Sequence, residues 1–362
     1  MKNNIIFTIT ISIILFILCI IYYNGDDMKN NLQKIGYNKE ETEKIITVFK
    51  DELDCLNNTY IENISNIIDN KNFNESKKCD YISYILKNNV EYNKAIEMVN
   101  ANLESYEYSD KLYDIKNDKY FIKNNITRYF NYLNNNTNLN SREIVASVNT
   151  NIDYGYYNNI KISNNQNSQS VIVNKFYTLN KDFIPNNLVN IEPQYGYGYV
   201  DKILYENFIK MANDAKENGL NIYIASGYRS YEYQEKLYNQ YVSKDGQENA
   251  DTYSARPGHS EHQTGLAIDL NDISDSFGNT DEFKWLSENA YKYGFILRYP
   301  RDLTNITGYV YEPWHYRYVG NEIAKYIHET GITYDEYYEF FLINQWRNKN
   351  SLLIFSLTSD QY

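Results

Sequence analysis

The hydrophobic and polar positions divide the chain into segments with different patterns. An uncharged, strongly apolar run covers 5–23, and a polar, Asn-rich region with helical spacing follows over 28–157. From about 171 onward, short apolar runs alternate with helical patterns, which predicts a mixed α+β domain over 171–347. We expect a linker at 158–170, which is dense in Asn, Ser and Gln, and a C-terminal tail at 348–362.

Start and stop signals define the elements of the second half. Helices are expected to stop at Gly219 and Gly294, because glycine readily adopts the left-handed conformation that ends a helix. Thr333 and Glu336 form a capping-box pattern at the start of the last helix. The expected elements are a helix over 201–217, a strand over 221–225, a helix capped by Ser230 and running to about 242, a strand over 266–270 and a helix over 282–293.

The N-terminal run is long enough to cross a bilayer. Its 19 residues over 5–23 match a hydrocarbon core about 30 Å thick, and no A-x-A-like cleavage site follows. Lys2 precedes the run, and Asp26 and Asp27 follow it, which favours an N-inside orientation. We therefore expect residues 1–27 to be a short cytoplasmic N-terminus and an uncleaved signal anchor, with a cleaved signal peptide as the alternative. The rest of the chain would then lie outside the cell membrane.

The region 28–157 indicates helices rather than chemistry. It contains no His and no Trp. Residues 99–103 (Val-Asn-Ala-Asn-Leu) resemble residues 148–152 (Val-Asn-Thr-Asn-Ile) at an offset of 49 residues, which suggests stacked helical hairpins or a chance match. Cys55 and Cys79 would both lie outside the membrane, where a disulfide persists, although sequence alone does not establish that they pair.

Composition narrows the class of function. The formal net charge of −12 argues against nucleic-acid binding, which uses a basic face. Tyr occurs 40 times, and we attribute this abundance to AT-rich codon usage, so tyrosine stripes are weak evidence for a ligand platform.

Two short segments carry side chains that suit a metal. His262 precedes Asp269 by seven positions, and Glu312 precedes His315 by three. Two imidazoles and one carboxylate leave one position of a tetrahedral zinc open for water, as catalysis requires. In the strand 266–270, Asp269 faces away from the apolar alternate positions, and a buried carboxylate needs a partner. We predict one Zn²⁺ per chain, held by His262, Asp269 and His315, with Glu312 as a nearby base.

The same segments resemble a known family. Residues 171–330 are similar to the VanY-type D-alanyl-D-alanine carboxypeptidases. The resemblance rests on Val173-Asn174-Lys175, on Ser226-Gly227-Tyr228-Arg229-Ser230 with Gln234, on the run from Arg256 to Gly265 with Asp269, and on Glu312-Pro313-Trp314-His315.

This resemblance implies roles for individual residues. It implies the three zinc ligands already named, Glu312 as general base and Arg229 as the group that stabilises the oxyanion. Ser260 and Gln234 would hold polar ends of the substrate, and Trp314 would form a wall of the cleft. We take His259 and His328 as structural, His259 as partly exposed.

The resemblance also implies a fold and a substrate. We expect an α+β zinc carboxypeptidase domain with a central antiparallel sheet and flanking helices, after a mainly helical region and a transmembrane helix. The predicted substrate is the peptidoglycan stem peptide, from which the enzyme removes the C-terminal D-alanine. An L,D-carboxypeptidase acting on tetrapeptides, a peptidoglycan endopeptidase and a catalytically silent wall-binding module remain the alternatives.

Overall fold

The computed structural model describes residues 27–56 and 58–343. The predicted membrane anchor and the tail at 348–362 lie outside these residues. Within the described ranges, no helix has both the length and the apolar character needed to cross a membrane. The mixed helix-and-strand class is confirmed.

The helices are α1 (27–35), α2 (Lys39–Phe49), α3 (Ile64–Ile68), α4 (Lys78–Asn88), α5 (Tyr92–Asn100), α6 (Asp110–Asn117), α7 (Ile126–Asn135), α8 (Ser141–Asn149), α9 (Lys202–Glu217), α10 (Tyr231–Asp245), α11 (Gln247–Tyr253), α12 (Asp281–Asn289), α13 (Thr304–Thr307), α14 (Asn321–Thr330) and α15 (Tyr334–Tyr337). The strands are β1 (Lys161–Ile162), β2 (Tyr177–Thr178), β3 (Leu188–Asn190), β4 (Tyr199–Asp201), β5 (Ile224–Ser226), β6 (Ala267–Leu270), β7 (Phe295–Leu297) and β8 (His315–Tyr318).

Two compact units divide between Asn117 and Asp118. The first contains α1–α6 and a disulfide between Cys55 and Cys79, whose Cα atoms are 5.4 Å apart. This division does not fall at the predicted linker 158–170. In the second unit, part of that segment forms β1, which pairs in parallel with β2.

A set of hydrogen bonds centred on a tyrosine and an asparagine joins the two helices of the α4–α5 hairpin in the first unit. The Tyr81 hydroxyl accepts the Asn74 backbone N–H at 3.2 Å and donates to Asn100 Oδ1 at 2.6 Å. The Lys77 ammonium donates to the Val99 carbonyl at 2.7 Å. These bonds satisfy the carbonyl and side-chain groups where α5 ends.

The α7–α8 hairpin of the second unit has a corresponding set of hydrogen bonds. The Tyr129 hydroxyl accepts the Ile122 N–H at 3.2 Å and donates to Asn149 Oδ1 at 2.5 Å. The Arg128 guanidinium donates to the Val148 carbonyl at 2.6 Å. Val99 and Asn100 correspond to Val148 and Asn149 at the offset of 49 residues, whereas Tyr81 and Tyr129 are 48 residues apart.

The core of the second unit lies between α9 and a four-stranded sheet. The strand order is β5-β6-β8-β7, and each neighbouring pair is antiparallel. Ile268 of β6 and Tyr316 of β8 are opposite each other and join Phe208 and Met211 of α9 in the core. Since strand side chains alternate, the neighbouring positions of β6 and β8 face the other side of the sheet.

Candidate active site

The register of β6 and β8 brings two predicted ligands together. Asp269 lies directly opposite His315, and directly opposed antiparallel residues have Cβ atoms about 4.5–5.5 Å apart. His315 Nδ1 is 3.2 Å from Asp269 Oδ1. Both residues are buried on the face of the sheet away from α9.

His262 reaches the same point from a tight turn. It lies in a 3-10 helix, Glu261–Thr264, which ends at Gly265 with a φ of 69° before the chain enters β6. A Cβ at Gly265 would strain this left-handed conformation and would lie 3.0 Å from Leu188 Cδ2. The turn brings His262 Nε2 to 3.3 Å from Asp269 Oδ2.

The three ligand atoms form a donor set that suits zinc. The donor atoms of His262, Asp269 and His315 lie within 4.8 Å of one another, and all three residues are buried. In the described part of the chain, His262 Nε2 and Asp269 Oδ1 have no hydrogen-bond partner. Buried polar atoms rarely stay unpaired, so their convergence fits a cation with two imidazole ligands and one carboxylate ligand.

Each of the two histidines is oriented by a hydrogen bond at the ring nitrogen that does not face the donor set. His262 Nδ1 is 2.7 Å from the Gly227 carbonyl, which can only accept, so Nδ1 carries the proton and Nε2 has the free lone pair. His315 is turned the other way: its Nε2 is 3.4 Å from Glu261 Oε2, and its Nδ1 faces the site. The two ligands therefore offer opposite ring nitrogens to the metal.

Burial and neighbouring charges set the ionisation of these groups. Burial, with Arg229 nearby, lowers the pKa of His262 to about 4, so this ring is neutral at pH 7. Burial alone would raise the pKa of Asp269, but the two histidines hold it well below its usual range. Burial would lower the pKa of His315, but the adjacent carboxylates of Asp269 and Glu261 raise it to about 9. A metal would displace the proton from His315 on binding.

Glu312 lies beside the donor set without joining it. Its Oε2 is 3.7 Å from His315 Nδ1, and its backbone N–H donates to the Tyr299 carbonyl at 3.1 Å. Burial raises the pKa of Glu312 to about 7. A carboxyl group with a pKa near neutrality is suited to taking up and releasing a proton.

Arg229 extends into the site from the end of β5. Its backbone N–H donates to the His262 carbonyl at 3.2 Å, and one terminal nitrogen is 3.7 Å from Asp269 Oδ2. Among the described residues, its buried Nε has no hydrogen-bond partner. The guanidinium therefore retains a donor for a substrate or an anion.

The predicted site residues line one cavity of about 260 Å³. They are Arg229, Gln234, Ser260, His262, Asp269, Glu312, Trp314 and His315. The Gln234 amide nitrogen donates to the Ala255 carbonyl at 2.8 Å. Gln234 Oε1 has no partner among the described residues and can accept a hydrogen bond from a ligand.

Two residues of the site were not predicted. The Gly227 carbonyl orients His262, and the Glu261 carboxylate orients His315. Glu261 is buried, and although burial would raise its pKa, Arg298 and Arg317 hold the pKa below its ordinary value. In the sequence, only the position of Gly227 and Glu261 within the motifs indicated a role. The histidines that they orient are 35 and 54 residues away in the sequence.

His259 and His328 lie outside the converging donor set, and His259 is buried rather than partly exposed as expected. Its Nδ1 is 2.7 Å from the Asn174 carbonyl, which explains why the ring lies inside the domain. His328 stacks on Tyr291 with ring centroids 3.9 Å apart.

Gly227→Ala should weaken metal binding. An added Cβ would lie 2.5 Å from the Tyr199 carbonyl, so the backbone that presents the Gly227 carbonyl to His262 must shift. Loss of an outer partner of a ligating histidine lowers metal affinity by about 10–100-fold, which zinc competition against a chelator would measure. Gly219→Ala is the control, since its Cβ meets nothing within 4 Å and its φ of 79° strains only the backbone. Equal zinc affinity in both variants would contradict the orienting role.

The chain is similar in sequence to known carboxypeptidases. The family model of the VanY D-alanyl-D-alanine carboxypeptidases matches residues 198–321. The Bacillus subtilis (strain 168) protein YodJ is 39% identical over 202 residues, which cover 51% of this chain and 74% of YodJ. The solved LD-carboxypeptidase LdcB is 38% identical, with 51% of this chain and 91% of LdcB covered and a TM-score of 0.47.

A second solved structure is a mutant of the vancomycin resistance D,D-pentapeptidase VanY in complex with Zn(II). It is 34% identical, with 47% of this chain and 98% of that chain covered and a TM-score of 0.41. The similarity to YodJ, which spans most of that relative, and the family model together confirm the predicted resemblance. The chain belongs to the VanY-type family of D-alanyl-D-alanine carboxypeptidases.

Proposed function

We propose that this protein is a zinc-dependent carboxypeptidase that removes the C-terminal D-alanine from peptidoglycan stem peptides. The convergence of His262, Asp269 and His315 beside Glu312, at one end of a cavity, carries this proposal. As a member of its family, the chain is a metallocarboxypeptidase. We assign one zinc to each chain, because the described residues bring this one ligand set together at the cavity.

Glu312 is the proton carrier of the proposed reaction. A zinc ion held by His262, Asp269 and His315 would polarise the scissile carbonyl and acidify the attacking water. The Glu312 carboxylate, close to His315, takes the proton from that water and passes it to the leaving D-alanine amine. Burial raises the pKa of this carboxylate to about 7, which suits a group that takes up and then releases a proton.

Arg229 is placed to stabilise the negative charge that develops on the carbonyl oxygen. Its guanidinium has a free Nε–H among the described contacts and lines the same cavity as Glu312. A preorganised donor of this kind is typically worth about 10²–10³-fold in kcat. We assign Gln234 and Ser260 to polar ends of the substrate and Trp314 to the cleft wall.

The rate should fall on the acid side of neutrality. Glu312 must be ionised to accept a proton, and burial raises its pKa to about 7, so protonation at lower pH removes the base. A nearby cation would shift this transition to lower pH. We expect kcat/KM to fall about tenfold per pH unit below the transition, measured across about pH 5–9. Glu312→Gln should lose this acid limb, and its persistence in that variant would contradict the assignment.

Product analysis distinguishes the proposed activity from its alternatives. Zinc-loaded full-length protein is incubated separately with muramyl pentapeptide, muramyl tetrapeptide and a cross-linked dimer, and the products are read by mass spectrometry. We expect loss of one alanine from the pentapeptide. Loss from the tetrapeptide alone would establish an L,D-carboxypeptidase, and cleavage of the dimer an endopeptidase. Three unchanged substrates would favour a wall-binding module.

We also propose that the apolar run over 5–23 anchors the protein in the cell membrane with the catalytic domain outside. The support is the length of the run, its lack of charge and the disulfide between Cys55 and Cys79, which suits an oxidising compartment. Full-length protein should stay with the membrane fraction after an alkaline carbonate wash. Its release into the wash would contradict the anchor.

A further inference from the structure

A cluster of buried charges extends from Glu261, beside His315, into the domain and takes no part in the proton transfers of the proposed reaction. Glu261, Arg298, Arg317 and Asp335 are each 3% exposed or less. Burying a charge is expensive unless it is paired, and even a buried pair seldom adds net stability. Stabilisation of the fold therefore does not explain why four charges are buried together, and their hydrogen bonds point to another role.

The charges form a chain that ends on a proposed zinc ligand. Glu261 Oε2 is 3.4 Å from His315 Nε2, and Glu261 Oε1 is 2.8 Å from Arg298 Nε. The two terminal nitrogens of Arg298 are 2.6 and 3.0 Å from the two oxygens of Asp335. Asn174 Nδ2 donates to Asp335 Oδ1 at 2.7 Å, which fixes the carboxylate from a second side.

The geometry constrains Arg298 more tightly than a single ion pair would. Both oxygens of Asp335 accept hydrogen bonds from the terminal nitrogens of the guanidinium. Two hydrogen bonds between planar groups fix the orientation of the guanidinium as well as its distance. The Nε–H of Arg298 is thereby aimed at Glu261. Glu261 in turn has one oxygen held by Arg298 and Arg317 and the other left for His315.

The far end of the chain is anchored by the last helix. Asp335 lies in the first turn of α15, whose N-cap Thr333 forms a capping box with Glu336. Glu336 also pairs with Arg142 of α8 at 2.5 Å, and Phe340, just after α15, stacks on Tyr120 with ring centroids 4.2 Å apart. The start of α15 is therefore held at both the side chain and the backbone.

We propose that Asp335 is a positioning residue for the zinc site, acting through Arg298 and Glu261 to hold the His315 ring with Nδ1 toward the metal. This inference rests on the proposed zinc site. Glu261 fixes the proton on Nε2, and Asp335 keeps Glu261 in the position where it can do so. In this way α15, which contributes no residue to the cavity lining, sets the geometry of a proposed zinc ligand.

Asp335→Asn in the full-length protein tests this role. Asn has the same size but cannot accept both guanidinium bonds, so Arg298 loses its fixed orientation. We expect zinc affinity, measured by chelator competition, to fall about 10–100-fold, the range typical of outer partners of metal ligands. The visible absorption bands of the cobalt-substituted protein should also change, because they report ligand geometry.

Asp153→Asn is the matched control. Asp153 is a mostly buried carboxylate that binds the guanidinium of Arg128 through both oxygens, but neither residue is bonded to Arg298 or Glu261. The substitution should lower the melting temperature while leaving zinc affinity within about twofold and the cobalt bands unchanged. Wild-type zinc affinity and cobalt bands in Asp335→Asn would overturn the proposal.

Arg298→Lys carries the test if Asp335→Asn does not fold. Lysine keeps a positive charge beside Glu261 but cannot bridge two carboxylates in a fixed plane. We expect the same loss of zinc affinity and the same change in the cobalt bands, and wild-type values would again overturn the proposal. If the wild-type protein itself bound no zinc, the proposed function would fail rather than the positioning role.

Discussion

Glu312→Gln is expected to lower kcat by about 10²–10⁴-fold while the protein keeps its zinc. Glu312 lies close to His315 but is not one of the three converging ligands. The amide has nearly the same size as the carboxyl group, yet it cannot take the proton from water. Removal of the base should therefore act on turnover and leave the metal site intact.

Three measurements separate this effect from general damage: kcat on muramyl pentapeptide, zinc content after dialysis and the melting temperature. Glu322→Gln, an exposed position on α14, is the matched control and should behave as the wild type. Wild-type turnover in Glu312→Gln would show that another group transfers the proton. Loss of zinc in this variant would show that Glu312 is itself a ligand.

Asp269→Asn is expected to lose zinc, and with it all measurable turnover. Asp269 lies between the two histidines, 3.3 Å from His262 Nε2 and 3.2 Å from His315 Nδ1. It supplies the only negative charge among the three proposed ligands. Replacing it by a neutral amide removes a charged ligand, so the loss of affinity should exceed the roughly 10–100-fold typical of outer partners.

Isothermal titration of the metal-free proteins with zinc measures this loss directly. Asp272→Asn, two residues after β6 on an exposed turn, is the control and should bind zinc as the wild type does. The metal-free Asp269 variant should remain folded, because the amide fills the same space, but it should be less stable than the metal-free wild type, because the charge opposite Arg229 and His315 is lost. Unchanged zinc affinity would remove Asp269 from the ligand set.

Local signals in the sequence predicted the helices of the second unit well. Ser230 accepts a backbone N–H at the start of the helix that it was expected to cap, and Thr333 forms the expected capping box. Asp201, at the start of the helix predicted over 201–217, also accepts a backbone N–H as its N-cap. These bonds span two or three residues, so the pattern that encodes them is visible in the sequence. The predicted strand over 221–225 instead forms at Ile224–Ser226, where Ser226 pairs with Asp269.

The pattern of hydrophobic and polar positions did not predict contacts between residues that are far apart in the sequence. The sequence indicated that Asp269 needed a partner, but the register of β6 and β8 decides that His315 lies opposite it. In the sequence, Glu261 was only a polar residue within a motif. The fold shows that it is a buried carboxylate paired with Arg298 and Arg317.

The division into units was missed for the same reason. The hairpin α7–α8 looks like the helical region before it, and its own hydrogen bonds repeat those of α4–α5. It belongs to the second unit, where it packs near α15 through Arg142 with Glu336, and the preceding Tyr120 packs on Phe340. Such pairs leave no periodic trace in the sequence.

The most direct test of the central claim is alanine release from muramyl pentapeptide during zinc titration of chelator-treated, full-length protein. We predict no release without metal, recovery in proportion to added zinc, and a plateau at one zinc per chain, with His262→Ala showing no recovery. Release that persists after complete metal removal, or its absence from zinc-loaded wild type, would contradict the account of this chain as a zinc carboxypeptidase.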